Sequence, residues 1–226
     1  MTSHDRAASH DGVAVLASGG LDSAVLTAEL LGEGRVVQPI YVRFGLAWEE
    51  TEETHLRRFL ATLPCAGLRS LVTLALPVAD TYGSHWSVSA DDVPDADTPD
   101  EAVYLPGRNL LLLAKSSIWC ALNAYPTIAL GTLKGNPFAD SSREFFGDVE
   151  SLVHTAVDHR LEIATPFSEL DKAHVLELGR HLQLQHTFSC IDPAAGVHCG
   201  RCNKCAERQR AFEEASIDDV TPYASR

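Results

Sequence analysis

Four of the chain's six cysteines, Cys190, Cys199, Cys202 and Cys205, stand in a C-x8-C-x2-C-x2-C arrangement. Four thiolates make the tetrahedral set that Zn²⁺ favours, and C-x2-C steps let consecutive sulfurs turn onto one ion. Disulfide pairing is the alternative, but three sulfurs so close in sequence cannot all pair well. Four protein ligands close the coordination shell, so the ion expected here is structural and catalysis must lie elsewhere.

A second stretch has the composition of an anion site. Ser18-Gly19-Gly20-Leu21-Asp22-Ser23 follows a short apolar run, 13–17, and precedes an amphipathic segment. Glycines let backbone N–H groups approach an anion closely, and a helix opening at Asp22 adds partial positive charge. The Ser18 and Ser23 hydroxyls can donate to phosphate oxygens. Asp22 makes sense among these groups if Mg²⁺ bridges it to the phosphates. A capped turn with no ligand is the alternative. The stretch is neither a G-x4-G-K-[ST] loop nor a G-x-G-x-x-G turn. Further along, Arg108 is a fixed cation suited to a phosphate, a carboxylate or a surface ion pair. Asn109 can bond a nucleotide or cap a helix, and Lys172 can neutralise a phosphate or remain an exposed helix lysine. Arg201, Lys204, Arg208 and Arg210 follow the thiolates, and their simplest role is to offset that charge.

These groups need a scaffold, and the hydrophobic pattern supplies one. Apolar runs suit buried parallel strands at 13–17, 36–44, 70–76, 127–130 and 162–164. Helical segments read at 22–31, 49–63, 110–124, 170–182 and 202–215. The alternation implies an α/β fold, an open doubly wound parallel five-stranded sheet with a small C-terminal four-cysteine zinc knuckle. In such sheets ligands bind beyond the carboxyl ends of the strands, where the 18–23 stretch falls. Glu49, Glu50, Glu52 and Glu53 suit the positive end of the helix they open. Residues 83–101, with Asp91, Asp92, Asp95, Asp97 and Asp100, read as a mobile surface loop. The expected division is a disordered lead-in at 1–11, a nucleotide-binding α/β domain at 12–185 and the knuckle with its last helix at 186–226.

With 226 residues, the chain can bury a full core. A net charge of −13, from 18 Lys+Arg against 31 Asp+Glu, disfavours nucleic acid and anionic membranes as partners. No apolar run reaches the roughly eighteen residues of a membrane span. The first residues lack the apolar core of a secretion signal, and clustered cysteines without one point to the reducing cytoplasm. Cys120 reads as a core thiol, and Trp48, Trp86 and Trp119 as packing residues by default, able also to stack on a base.

The Ser18-Gly19-Gly20-Leu21-Asp22-Ser23 stretch resembles the SGGxDS pyrophosphate loop of N-type ATP pyrophosphatases, whose fold is the adenine nucleotide alpha hydrolase type. Three further segments narrow the resemblance: Tyr104-Leu105-Pro106-Gly107-Arg108-Asn109, then Thr165-Pro166-Phe167 with Asp171-Lys172-Ala173, and His198-Cys199-Gly200-Arg201-Cys202-Asn203-Lys204-Cys205-Ala206-Glu207-Arg208. In that order, and with the cysteine spacing, they resemble the 7-cyano-7-deazaguanine synthase family from about residue 13 to 212. Two stretches depart from the family pattern. Residues 131–146 lack its Asp-Tyr-Ser-Gly run and carry Lys134, and Arg43-Phe44-Gly45-Leu46 replaces its Y-G-Q-R/K-H.

The resemblance implies a carbon–nitrogen ligase acting on ATP, ammonia and a deazapurine carboxylate, with Mg²⁺ and a structural Zn²⁺. It implies that Ser18, Gly19, Gly20, Leu21, Asp22 and Ser23 hold the pyrophosphate, and that Phe44 and Asn109 contact the nucleotide. Asp22, Arg108 and Lys134 would stabilise developing charge, while Asn136, Asp140 and Arg143 would meet the acceptor. A homodimer is implied too. Three alternatives stay open: a relative acting on another carboxylate, a sulfur transferase using Cys65 or Cys120, and a zinc-ribbon module without catalysis.

Overall fold

Strand β1 (Gly12–Leu16) is buried along its whole length, which is why its sequence shows no polar alternation. In the computed structural model, which describes residues 12–225, β1 pairs in parallel with β2 (Val36–Arg43) and β4 (Thr127–Ala129). Strands β3 (Val72–Ala75) and β5 (Glu162–Ala164) complete a five-stranded parallel sheet of order β3-β2-β1-β4-β5. The expected lead-in at 1–11 lies outside the described residues.

Successive β1 residues feed opposite cores, as the period of two requires. Ala14 and Leu16 join the face covered by α5 (Arg108–Leu122) and α6 (Arg143–Val157), with Leu113, Cys120, Phe146 and Val149. Val13 and Val15 join the face covered by α1 (Leu21–Gly32), α7 (Lys172–Leu178) and α8 (Asn203–Glu214), with Val25, Val175 and Phe212. Helix α2 (Glu49–Leu60) packs Leu56 against Ala17 and Tyr41. The chain winds outward from β1 to β3 and then returns to add β4 on the other side. The reversal leaves a crevice at the carboxyl ends of β1 and β4, where open α/β sheets bind their ligands.

Three elements differ from the sequence reading. Helix α6 fills a stretch that the reading leaves unassigned, although its signals are ordinary. Ser142 caps it by accepting from Phe145 N at 3.1 Å, and Phe146, Val149 and Val153 form its buried stripe. Helix α7 is shorter than expected because the Asp171 carboxylate, accepting from His174 N at 2.9 Å, sets its start. The acidic 83–101 segment is not a free loop. Next to it lies the short helix α3 (Ala79–Tyr82), and within it lie α4 (Trp86–Ser89) and part of a 3-10 turn, Asp100–Val103. It is pinned to the knuckle by Asn203, whose N donates to Pro94 O at 3.0 Å and whose Nδ2 donates to Thr98 O at 2.8 Å.

The knuckle cysteines share the buried cluster of Ala14, Leu16 and Phe188, so the knuckle is continuous with the sheet's core. The C-terminal segment lies over it, with Ser225 N donating to Cys199 O at 3.2 Å. Gly200 makes that contact possible: its φ is +85° and a Cβ there would lie 1.7 Å from Ser225 O. No helix among the described residues is long and apolar enough to cross a membrane.

Candidate active site

The turn between β1 and α1 is laced by its own hydroxyls. Ser23 Oγ accepts from Ser18 N at 3.2 Å, and Ser18 Oγ accepts from Gly20 N at 3.3 Å. Gly19 has φ +80°, and a Cβ there would meet Leu56 Cβ at 3.2 Å and Glu52 O at 3.3 Å, so the turn can lie flat on α2 only with glycine. Gly19 O in turn accepts from Phe188 N at 2.7 Å, tying the turn to the segment entering the knuckle. Gly20 caps α1 without a side-chain bond, and Gly20, Leu21 and Asp22 line the crevice, so the positive end of that helix lies at it.

Asp22 opens α1. Its Oδ2 accepts from Lys172 Nζ at 2.7 Å, while its Oδ1 is buried with no partner. Lys172 bridges to Glu207 Oε1 at 3.0 Å, and Glu207 also meets Lys204 at 2.5 Å. Two cations hold the Glu207 carboxyl down at about 2 against the cost of its burial, and the two carboxylates raise the Lys172 ammonium. An unpartnered buried carboxylate oxygen at a helix N-terminus is the donor that a divalent cation takes, so the turn fits Mg²⁺ at Asp22.

Two adjoining cavities, of about 550 and 210 Å³, open here. Ser18, Asp22, Glu52, Arg108, Asn109, Gly131 and Asn136 line both, forming the partition between them. The smaller cavity reaches the ends of β1 and β2 past Ile40, Tyr41 and Phe44. The larger is walled by two stacked aromatic pairs, Trp48 with Trp86 at 5.6 Å and Tyr104 with Phe138 at 5.0 Å. Lys134 lines it as well. Arg108 Nε is buried with no partner, a free donor at the partition.

The structure therefore brings Ser18, Gly20, Leu21, Asp22, Ser23, Phe44, Arg108, Asn109, Lys134, Asn136 and Asp140 to the cavities, with Gly19 beneath them. Asn109 and Asp140 also bind each other. Asp140 Oδ2 accepts from Asn109 N at 3.0 Å, and Asn109 Nδ2 donates to Asp140 O at 2.9 Å, so Asp140 closes the start of α5. Arg143 is placed elsewhere: it donates to Ile163 O at 3.0 Å and pairs with Glu150 at 3.1 Å, with two thirds of its side chain exposed. Its position at the head of α6, an element the sequence reading lacks, turns it away from the crevice. Cys65 is exposed and Cys120 is a buried core thiol pushed up to about 12; neither lines a cavity.

Three features go beyond the sequence reading. Lys172 has a partner 150 residues away, invisible to local pattern. Trp48 and Trp86, read as packing, face the larger cavity. Glu52, read as a helix-end charge, is buried, with Oε2 accepting from Tyr41 Oη at 2.7 Å. Its signal is present in the sequence: Glu52 precedes Leu56 by four residues and Phe59 by seven, which places it on the buried stripe of α2.

The four thiols lie within 4.8 Å of one another. Cys190 and Cys202 sulfurs are 3.8 Å apart, and those of Cys199 and Cys205 are 3.9 Å apart. Tetrahedral bonds of about 2.3 Å would separate sulfurs by about 3.8 Å, so the cluster fits a thiolate-bound metal ion. Backbone N–H groups of Asp192, Cys199 and Cys202 point at the sulfurs at 3.3 Å, the surroundings that stabilise bound thiolates. Two of the basic residues that follow also have partners of their own. Arg201 pairs with Asp192 at 2.9 Å, and Arg208 is buried, donating to Thr187, Thr221 and Leu184.

The chain matches the family described as queuosine biosynthesis protein QueC over residues 12–216. It is 31% identical to the 7-cyano-7-deazaguanine synthase of Solidesulfovibrio magneticus, an alignment covering 92% of this chain and 94% of that protein. It is 30% identical to the enzyme of the same name from Anaeromyxobacter dehalogenans, over 93% and 94%. Among solved structures, a 4-thiouridine synthetase in complex with RNA and bound ATP is similar at a TM-score of 0.51 and 16% identity, covering 91% of this chain and 50% of that one. That likeness concerns the fold alone.

Proposed function

This chain belongs to the queuosine biosynthesis protein QueC family, and from that premise we propose how its crevice converts 7-carboxy-7-deazaguanine, ammonia and ATP into 7-cyano-7-deazaguanine. The observation that carries the residue roles is the 18–23 turn, where Asp22 holds a buried, unpartnered oxygen at the head of α1, on the partition of two cavities. ATP lies with its pyrophosphate on this turn and its adenine in the smaller cavity against Tyr41 and Phe44. The planar acceptor lies in the larger cavity between the aromatic pairs, its carboxylate toward Arg108 and Lys134. Mg²⁺, held by Asp22, supplies charge neutralisation of the phosphates when bound.

The acceptor carboxylate attacks the α-phosphorus and pyrophosphate departs, leaving an acyl adenylate. Arg108 and the N–H groups of α1 face the charge that develops. Lys172 has two carboxylate partners, and Asp22 can release it toward the phosphates while Glu207 keeps it in reach. Ammonia then displaces AMP to give the amide. A second activation, on the amide oxygen, ends in loss of AMP and formation of the nitrile. Zn²⁺ in the Cys190, Cys199, Cys202 and Cys205 cluster supplies structure only. The chain's charge and thiols support a cytoplasmic enzyme, and exposed Leu110, Ile118 and Leu122 on one side of α5 support a homodimer. Sedimentation of the purified chain tests the dimer, which a monomer at micromolar concentration would exclude.

The deciding experiment supplies the metal-loaded protein with ATP, Mg²⁺, ammonium and 7-carboxy-7-deazaguanine and follows products by mass spectrometry. Two AMP and two pyrophosphate per nitrile are expected. Pyrophosphate release that depends on some other carboxylate, with none on this one, overturns the acceptor assignment.

A further inference from the structure

The reaction just proposed moves protons at every nitrogen step. Ammonium must lose a proton to become a nucleophile, the attacking nitrogen loses another, and nitrile formation strips the amide nitrogen of both. No histidine lines either cavity among the described residues. The carboxylates that do are mostly committed elsewhere. Asp22 and Glu207 are paired with Lys172, Asp140 and Asp171 close helix starts, and Glu49 accepts from the N–H groups of Phe44 and Gly45. Glu214 is exposed at the end of α8.

Glu52 differs from all of these. It lies in the partition and lines both cavities, yet the residue is only 9% exposed. Its carboxyl meets neutral donors only, Tyr41 Oη at 2.7 Å on Oε2 and the Trp48 indole. It packs directly under Gly19, whose Cβ would stand 3.6 Å from Glu52 Cγ, so it sits beneath the phosphate turn. Tyr41 of β2, Glu49 of its own helix and Arg108 of α5 are the ionisable groups facing it, with Asp22 across the cavity wall. Burial, helped by the Glu49 charge, outweighs Arg108, Tyr41 and Trp48 and pushes its carboxyl up to about 7. A group that titrates near the working pH exchanges protons in both directions.

We propose that Glu52 is the catalytic base that takes the protons leaving nitrogen, an inference that rests on the reaction given above. In the first half, the ammonia lone pair attacks the acyl carbon and the C–O bond to AMP breaks, its electron pair leaving with the phosphate oxygen. The N–H proton passes to the Glu52 carboxylate and on to solvent. In the second half, the amide oxygen displaces pyrophosphate from a second ATP and nitrogen gives up one proton. The remaining imidate N–H proton then goes to Glu52 as the C–O bond breaks, AMP departs with the pair and the C≡N bond closes. Arg108 and the α1 N–H groups stay with the phosphate, so acid–base work and charge stabilisation fall to different residues across one partition.

The test compares the full-length, metal-loaded wild type with Glu52→Gln and Glu52→Asp. Acid-dependent ATP–pyrophosphate exchange reads adenylation, and amide and nitrile are measured separately. For Glu52→Gln, exchange is expected within about tenfold of wild type, with amide and nitrile formation down by about 10²–10⁴-fold. The wild-type rate should rise with pH through a midpoint near 7, as the carboxylate becomes the deprotonated base. That limb should vanish in Glu52→Gln and persist, with a lower rate, in Glu52→Asp. Nitrile formation within tenfold of wild type, or an unchanged acid limb in Glu52→Gln, overturns the role. Loss of exchange in step with nitrile would make Glu52 a support for the phosphate turn instead. If the wild type itself adenylates the acid but forms neither amide nor nitrile, the reaction fails first and this role with it.

Discussion

Asp22→Ala is expected to lower pyrophosphate release by about 10³-fold or more, a loss of at least about 4 kcal/mol of transition-state stabilisation. The magnitude follows from the two jobs its carboxylate holds. Oδ1 is buried and unpartnered, the oxygen proposed above for the cation on the phosphates, and Oδ2 accepts from Lys172 at 2.7 Å. Alanine removes both and leaves Lys172 on Glu207 alone. The fold should survive, because Asp22 is partly exposed at a helix start and its side chain bonds to Lys172 rather than to the core. Asp22→Asn separates the jobs: it keeps the shape of the turn while discarding the charge, and should lie close to alanine in rate. Full pyrophosphate release by either variant would remove the turn from the active site. An unfolded Asp22→Ala would be answered by Asp22→Asn, whose calorimetric Tm should lie within a few degrees of wild type.

What the sequence makes legible is what is local. The Ser18–Asp22–Ser23 turn, the cysteine spacing and the buried strands each declare themselves within a dozen residues, because glycine conformation, thiolate geometry and strand burial act over that range. The rule that ligands bind at the sheet's carboxyl end then places the crevice correctly. What fails to show is what depends on pairing across the chain. Lys172 gives no hint of Asp22, nor Asn109 of Asp140, since both partnerships are made only when the sheet is assembled. Arg143 goes wrong for a related reason. Its neighbours in a motif suggest a substrate contact, and the unrecognised helix redirects it toward Glu150. Glu52 is the instructive intermediate: its period along α2 points inward, but four glutamates at a helix start invite a surface reading.

Cys202→Ser should release the metal from the knuckle and destabilise the chain by about 4 kcal/mol, lowering Tm by roughly 8–16 °C. The expectation is large because the thiolates are not peripheral. All four are buried in the same cluster as Leu16 and Phe188, and without an ion they would stand sulfur against sulfur at 3.8–3.9 Å with no shared charge to hold them. The loss should also reach the phosphate turn by two routes that start at the knuckle. Glu207 lies two residues beyond Cys205 on α8 and holds Lys172 for Asp22, and Phe188, two residues before Cys190, donates to Gly19 O at 2.7 Å. ATP affinity is therefore expected to fall along with metal content, although no cysteine lines either cavity. Metal analysis, calorimetry and ATP titration of Cys202→Ser read the three effects separately. Unchanged metal content would remove Cys202 from the ligand set. Zinc loss with Tm lowered but ATP binding intact would confine the ion to stability and break the link from α8 to the turn. Zinc loss with both reduced would make the knuckle the brace that keeps Lys172 and Gly19 where the phosphates must land.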